Sequence, residues 1–297
     1  MQSHEGKVEK YYWKTYKGDC REVMEKMSEK MGEPYVDCIV TSPPYWERRS
    51  YGEKPKIDGN QGVWAYSNSK KTYENEIGNN CSYEKYINDL GDVLKRCYQL
   101  LRNNKFMFIN IGNKHKEKEL HDYSFDIIQK AKECGFIHCD TIIWIKRNSQ
   151  PPGRYKKIYL GNAWEYILMF AKGKDYHLYP ENYMTTSSHF ICSECAHDNY
   201  ISLNATPNYM YSNIGCFGKK DETLHSHPAI FPIDIPLFCL SFTTKENEIV
   251  LDPFSGSGTT LRAALQLKMN AIGCEIIPDV YNNLVENMMK YTSSIEE

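Results

Sequence analysis

The sequence predicts an α/β fold, a mostly parallel sheet with helices on both faces, and three observations carry that prediction. Apolar runs of strand length alternate with segments of helical periodicity along most of the chain. A strand, a glycine-rich turn and a helix follow one another at 248–267, the unit with which such sheets hold ligands. With 297 residues and 41% apolar composition, the chain can bury a substantial core as one large domain or one domain with an insertion.

The elements follow in chain order. "MQSHEGKVEK" is too polar for a secretory leader, and no apolar run is long enough to cross a bilayer, so a cytoplasmic protein without membrane contact is expected. Eleven cysteines in such a chain read as reduced thiols rather than a disulfide framework. "YYWKTYKGDCREVMEKM" (11–27) is a strand through about Lys17, a Gly-Asp turn and a helix. "VDCIV" (36–40), "FMFINIG" (106–112), "CDTIIWI" (139–145) and "EYILMFA" (165–171) are strands rich in branched and aromatic residues. Between them, 83–101 and 123–134 carry apolar residues at helical spacing, with Gly135 as a C-cap. After 172 the pattern dissolves into a polar stretch and resumes at "HPAIFP" (227–232). This divides the chain into a main α/β domain, 1–172 with 227–297, and an inserted region, 173–226.

"EIVLDPFSGSGTTLRAALQL" (248–267) and "NAIGCEIIPDVYNNLVENMMKY" (270–291) each read as strand then helix. A half of a doubly wound sheet normally uses three strands, and only two follow residue 246. The strand at 11–17 can supply the third, which makes the sheet circularly permuted. The Gly-x-Gly turn lets a ligand approach the backbone at a helix N-terminus, and Glu275, closing the next strand, is placed to accept from ribose hydroxyls. Asp19 would stand beside that ligand, either accepting from an adenine amino group or simply capping the helix that follows. A phosphate-binding P-loop is excluded because Thr259, not lysine, follows Gly258, and Leu261 replaces the third glycine of a dinucleotide fingerprint. An adenosine-containing cofactor is expected; a tight turn without ligand is the alternative.

"TSPPYW" (41–46) leaves the strand at 36–40 on the same carboxyl edge. Prolines just past the last ladder bond lose no needed donor, stiffen the loop and force extended geometry on the residues before them. Ser42 and the carbonyl of Pro43 are then two fixed hydrogen-bond acceptors, followed by Pro44 and the face of Tyr45. Two acceptors and an aromatic face suit the exocyclic amino group of a nucleobase rotated out of a duplex. Trp46 is either pocket wall or core.

Here the chain resembles the beta-class DNA amino-methyltransferases, in which an S/D/N-P-P-Y/F segment precedes an F-x-G-x-G segment; "YKGDC", "WEYILMFAKG", "HPAIFP" and "IGCE" are similar to its remaining blocks. The resemblance implies a circularly permuted Rossmann-like fold that binds S-adenosylmethionine and methylates double-stranded DNA. Ser42, Pro43, Pro44 and Tyr45 would be catalytic. It assigns the cofactor to Asp19, Thr41, Asp252, Pro253, Phe254, Ser255, Gly256, Ser257, Gly258, Thr259, Thr260 and Glu275, with His227, Ala229 and Phe231 near the methionine end. Serine at the first motif position implies cytosine N4 as target; adenine N6 is the alternative in the same family, and a DNA-binding protein without turnover the alternative outside it. The inserted region would hold target recognition, and a cognate restriction endonuclease is the implied partner. The state of assembly, monomer or homodimer, stays open.

With a net charge of only −2, DNA contact needs a local basic patch, and Lys146, Arg147, Arg154, Lys156 and Lys157 in "KRNSQPPGRYKK" supply one. "ERRSYGEKPK" (47–56) would be a lid. "HFICSECAH" presents His189, Cys192, Cys195 and His197, but without a second C-x-x-C it reads as ordinary thiols rather than zinc, so no metal is expected.

Overall fold

Strand-forming residues sort themselves into one sheet of nine strands. The computed structural model describes residues 2–46, 56–57, 64–65, 73, 75–116, 118–147, 160, 163–180, 208–213 and 232–296. Its strands are β1 (Gln2–Val8), β2 (Tyr11–Lys17), β3 (Val36–Thr41), β4 (Lys56–Ile57), β5 (Trp64–Ala65), β6 (Leu101–Ile111), β7 (Lys114–Lys116), β8 (Glu119–His121), β9 (Ile137–Lys146), β10 (Trp164–Lys172), β11 (Tyr209–Ser212), β12 (Ile249–Asp252) and β13 (Asn270–Glu275). Its helices are α1 (Cys20–Met31), α2 (Tyr83–Leu100), α3 (Tyr123–Glu133), α4 (Asp234–Ser241), α5 (Thr259–Gln266) and α6 (Pro278–Glu296).

The sheet runs β1-β2-β13-β12-β3-β6-β10-β9-β11, while β4–β5 and β7–β8 form separate small ribbons. From β2 to β6 every pairing is parallel. Strand β3 is buried at every residue, as a strand covered on both faces must be. One face carries α1, α2 and α3 over Met24, Ile39, Leu94, Met107 and Leu251. The other carries α4, α5 and α6 over Cys38, Phe108, Phe238, Leu261 and Leu284.

The permuted order holds: β2, from the N-terminal part of the chain, pairs in parallel with β13, Ala271 opposite Trp13 through Glu275 opposite Lys17. The chain enters β3 and β12 from opposite sides of the sheet, so their shared carboxyl edge is a topological switch point. Two strands of the large sheet escape the sequence reading. Polar β1 returns on β2 through a two-residue turn at Glu9 and Lys10 and forms one edge. At the other edge β11, inside the stretch assigned to the insertion, pairs in parallel with β9. The stretch expected to be an insertion thus contributes one edge strand to the sheet. Among the described residues, no helix is long and apolar enough to cross a membrane.

Candidate active site

Five parallel strands deliver their C-terminal residues to one edge, and the segments 18–19, 41–45, 252–260 and Glu275 lie along it. In sheet order, the Gly18 amide donates to the Glu275 carbonyl at 3.0 Å, tying β2 to β13. Asp19 caps α1, accepting from the Arg21 amide at 2.9 Å, and both its oxygens grip the Arg21 guanidinium, Nη2–Oδ2 being 2.6 Å. An adenine amino group would have to share that carboxylate with Arg21.

Glu275 is buried and held from two sides: Oε2 accepts from the Gly256 amide at 3.1 Å and Oε1 from the Ile277 amide at 2.8 Å. Burial pushes its carboxyl up to about 7, against the pull of those amides. The turn between β12 and α5 uses left-handed backbone at Gly256 (φ 51°) and Gly258 (φ 88°). A Cβ on Gly258 would sit 2.7 Å from Leu284 Cδ1, so this turn also needs glycine for its contact with α6. The loop's hydroxyls are spent internally. Ser255 donates to the Asp252 carbonyl at 3.0 Å, Ser257 lies 3.4 Å from Thr259, and Thr260 donates to the Val40 carbonyl at 3.4 Å. Pro253 is buried and Phe254 half-buried against the α1–α3 core.

Asp252 is fully buried at the end of β12. Its Oδ1 accepts from Thr41 Oγ1 at 2.6 Å and from the Phe254 amide at 3.0 Å, so Thr41 latches β3 to β12. Oδ2 has no hydrogen-bond partner among the described residues. Burial pushes the carboxyl up to about 6, opposed by the hydrogen bonds from Thr41 and the Phe254 amide. A buried carboxylate oxygen without a donor, beside glycines that bare their backbone, suits a ligand bringing donors or positive charge. These residues fit the expected cofactor.

Across the switch point, Ser42 is half-buried and its hydroxyl makes no hydrogen bond among the described residues; nor does the carbonyl of buried Pro43 accept one. Pro44 and Tyr45 are half-buried. Trp46 is core: it donates from Nε1 to the Cys81 carbonyl at 2.9 Å and packs edge-on against Tyr83 at 5.2 Å.

A family model described as DNA methylase matches residues 36–286, a span that holds both the S-P-P-Y and the F-x-G-x-G segments. The chain belongs to this N6/N4 DNA methylase family. The methylase is 25% identical over 287 residues to the type II beta methyltransferase M.BslI of Bacillus sp. (strain NEB-606), a match covering 90% of this chain and 26% of that protein. It is 28% identical over 272 residues to the type II methyltransferase M.MjaI of Methanocaldococcus jannaschii, covering 87% and 85%. It thus spans about a quarter of the first relative and most of the second. In fold it resembles PvuII DNA methyltransferase (cytosine-N4-specific), with TM-score 0.66, 18% identity and 95% and 92% of the two chains covered. It also resembles M1.HpyAVI in its SAM complex, with TM-score 0.56, 21% identity and 93% and 99% covered. The resemblance to beta-class amino-methyltransferases is borne out.

The predicted basic patch is only partly placed. Arg147 is exposed, with its guanidinium 5.7 Å from the Tyr211 ring centroid. Lys146 is buried and paired with Glu165, so it is not presented to a phosphate backbone. Glu165, which sequence reasoning missed, also accepts from Tyr45 Oη at 3.0 Å. An acidic residue opening an apolar strand was the available signal. His227, Ala229, Phe231, Arg154, Lys156 and Lys157 lie outside the described residues, as do the lid apart from Lys56 and the His189–His197 cluster. Among the described residues no group of three or more acidic, histidine or cysteine side chains is set to hold a metal.

Proposed function

We propose that the methylase transfers a methyl group from S-adenosylmethionine to the exocyclic N4 amino group of cytosine in duplex DNA, the base being rotated out of the stack. The observation that carries this reading is the pair of acceptors without partners among the described residues, Ser42 Oγ and the Pro43 carbonyl, preceding Tyr45 on the edge that also holds Asp252 and Glu275. When bound, S-adenosylmethionine supplies a methyl group activated on a sulfonium. Gly256 and Gly258 let it reach the backbone, Glu275 accepts from its ribose, and Asp252 offers the unpartnered oxygen to its donors.

The residues of β3 and its loop then act on the base. Tyr45 stacks on the ring. Ser42 and Pro43 accept the two amino protons, which draws the nitrogen lone pair out of conjugation and aims it at the methyl carbon. The surplus proton passes from the Pro43 carbonyl to water. Serine in the first motif position favours cytosine N4 by resemblance, and the likeness to a protein described as cytosine-N4-specific supports it. Residues 173–226, apart from β11, are proposed to read the target sequence. In support, β11 puts exposed Tyr209 and Tyr211 at the sheet edge next to Arg147. A cognate restriction endonuclease is a proposed partner, since the relatives are named type II methyltransferases.

The test is to incubate the protein with S-adenosylmethionine and unmodified mixed-sequence duplex DNA, digest to nucleosides and separate them by mass spectrometry. N4-methylcytosine is the expected product. N6-methyladenine would overturn the target base, and no methylated nucleoside despite cofactor binding would overturn the assignment of this loop to a duplex base.

A further inference from the structure

A charged pair is buried beside the catalytic loop, and nothing in the reaction so far uses it. Lys146 closes β9 and Glu165 lies at the start of β10, with side chains 7% and 9% exposed and Lys146 Nζ 2.7 Å from Glu165 Oε1. Strand β10 runs antiparallel to β6, so its first residues lie at the edge where the parallel strands end. Burying two charges gains little stability, because lost hydration offsets their attraction. The pair's geometry gives it another use. Oε1 is held by Lys146, while Oε2 accepts from Tyr45 Oη at 3.0 Å. The backbone makes room for this: a Cβ on Gly112, just past β6, would lie 2.9 Å from Glu165 Cδ.

We propose that Lys146 and Glu165 are positioning residues that set the plane of the Tyr45 ring, a proposal that rests on reading the S-P-P-Y loop as the base site. A tyrosine on a loop can turn about its side-chain torsions. A hydrogen bond to an ionised acceptor, itself fixed by an ion pair on two neighbouring strands, removes that freedom. The base then meets Ser42 and Pro43 in register. Lys146 also cancels a negative charge that would otherwise face an approaching phosphodiester chain.

The test is a double-mutant cycle of Glu165→Gln and Tyr45→Phe, read as tritiated methyl transfer to unmodified mixed-sequence duplex DNA. Glutamine keeps the shape of Glu165 but has one acceptor oxygen, which cannot serve Lys146 and Tyr45 together. Tyr45→Phe keeps the ring and loses the tether. Each single variant is expected to lower kcat about tenfold through misplacement of the base, with KM for S-adenosylmethionine unchanged within about twofold. The double variant should be no slower than either single one. Effects that multiply, or a parallel loss of cofactor affinity, would overturn the proposal. A fluorotyrosine placed at position 45 gives a readout that needs no turnover. Its 19F line should be shifted and narrow in the parent protein and move towards that of a solvent-exposed tyrosine in Glu165→Gln; an unmoved line overturns the tether. If the parent protein transfers no methyl group, the functional reading fails and the fluorine line alone decides the positioning pair.

Discussion

A serine hydroxyl is a poor base, so in the proposed reaction Ser42 would contribute an acceptor in a fixed place rather than proton affinity. Ser42→Ala should therefore reduce methyl transfer by roughly 10²- to 10³-fold, as removal of one preorganised polar contact does elsewhere. S-adenosylmethionine should still bind within about twofold by calorimetry; an equal loss of binding would place Ser42 in the cofactor site instead. Asp252 makes the opposite case, a residue that the proposed cofactor site would keep at a cost to stability. Burial holds its carboxyl at about 6, so at pH 8 it stays ionised in a place that disfavours the charge. Asp252→Asn can still accept from Thr41 and the Phe254 amide through its carbonyl oxygen. The variant should melt a few degrees higher than the parent at pH 8, an advantage that shrinks as pH falls through 6 and is lost only near pH 4, while its affinity for S-adenosylmethionine falls. A lower melting temperature at pH 8 would mean that the unpartnered oxygen already has a compensating donor.

At the scale of elements, the β12–α5 turn joins sequence to site most directly. Gly258 combines left-handed backbone with a 2.7 Å clearance to Leu284. Gly258→Ala should cost roughly 2 kcal/mol from backbone strain and overpacking together. It should show as a lower urea midpoint and weaker cofactor binding, because α5 can relieve the clash only by moving off α6. An unchanged midpoint would show that α6 yields instead. This turn was readable from sequence because strand, glycines and helix adjoin in the chain. So was the permutation, since three strands must be found and "YYWKTYK" was the one left over. Strands β1 and β11 were not readable, because edge strands need no continuous apolar pattern and take their register from a neighbour. Lys146 shows the same limit at the site: in "IIWIKRN" a lysine looks solvent-bound, and only the pairing of β9 with β10 brings Glu165 to it.

At the scale of the whole molecule, the buried carboxyls of Asp252 and Glu275 would make stability and cofactor affinity depend on pH in opposite directions. Glu275 is held at about 7 and Asp252 at about 6, each above its ordinary value through burial. The folded protein thus binds more protons than the unfolded chain between about pH 4 and 7, so its stability is greatest at the acid end of that window. Each carboxyl gives up about 3 kcal/mol as pH rises through its folded value. Without cofactor, the urea midpoint should therefore fall between pH 5 and pH 7.5, contrary to the usual behaviour of ion-paired carboxylates. With the proposed ribose contact the cofactor would reverse the balance, because hydroxyl donors on Glu275 would favour its charged form and binding would release a proton. Affinity for S-adenosylmethionine should rise by up to about tenfold per pH unit below 7 and level off above it. Calorimetry in phosphate and in Tris would count that proton from the difference in heat. In Glu275→Gln the pH dependence should flatten; a Gln variant that still released the proton would move the linkage to Asp252 and leave Glu275 as a support for the glycine turn alone.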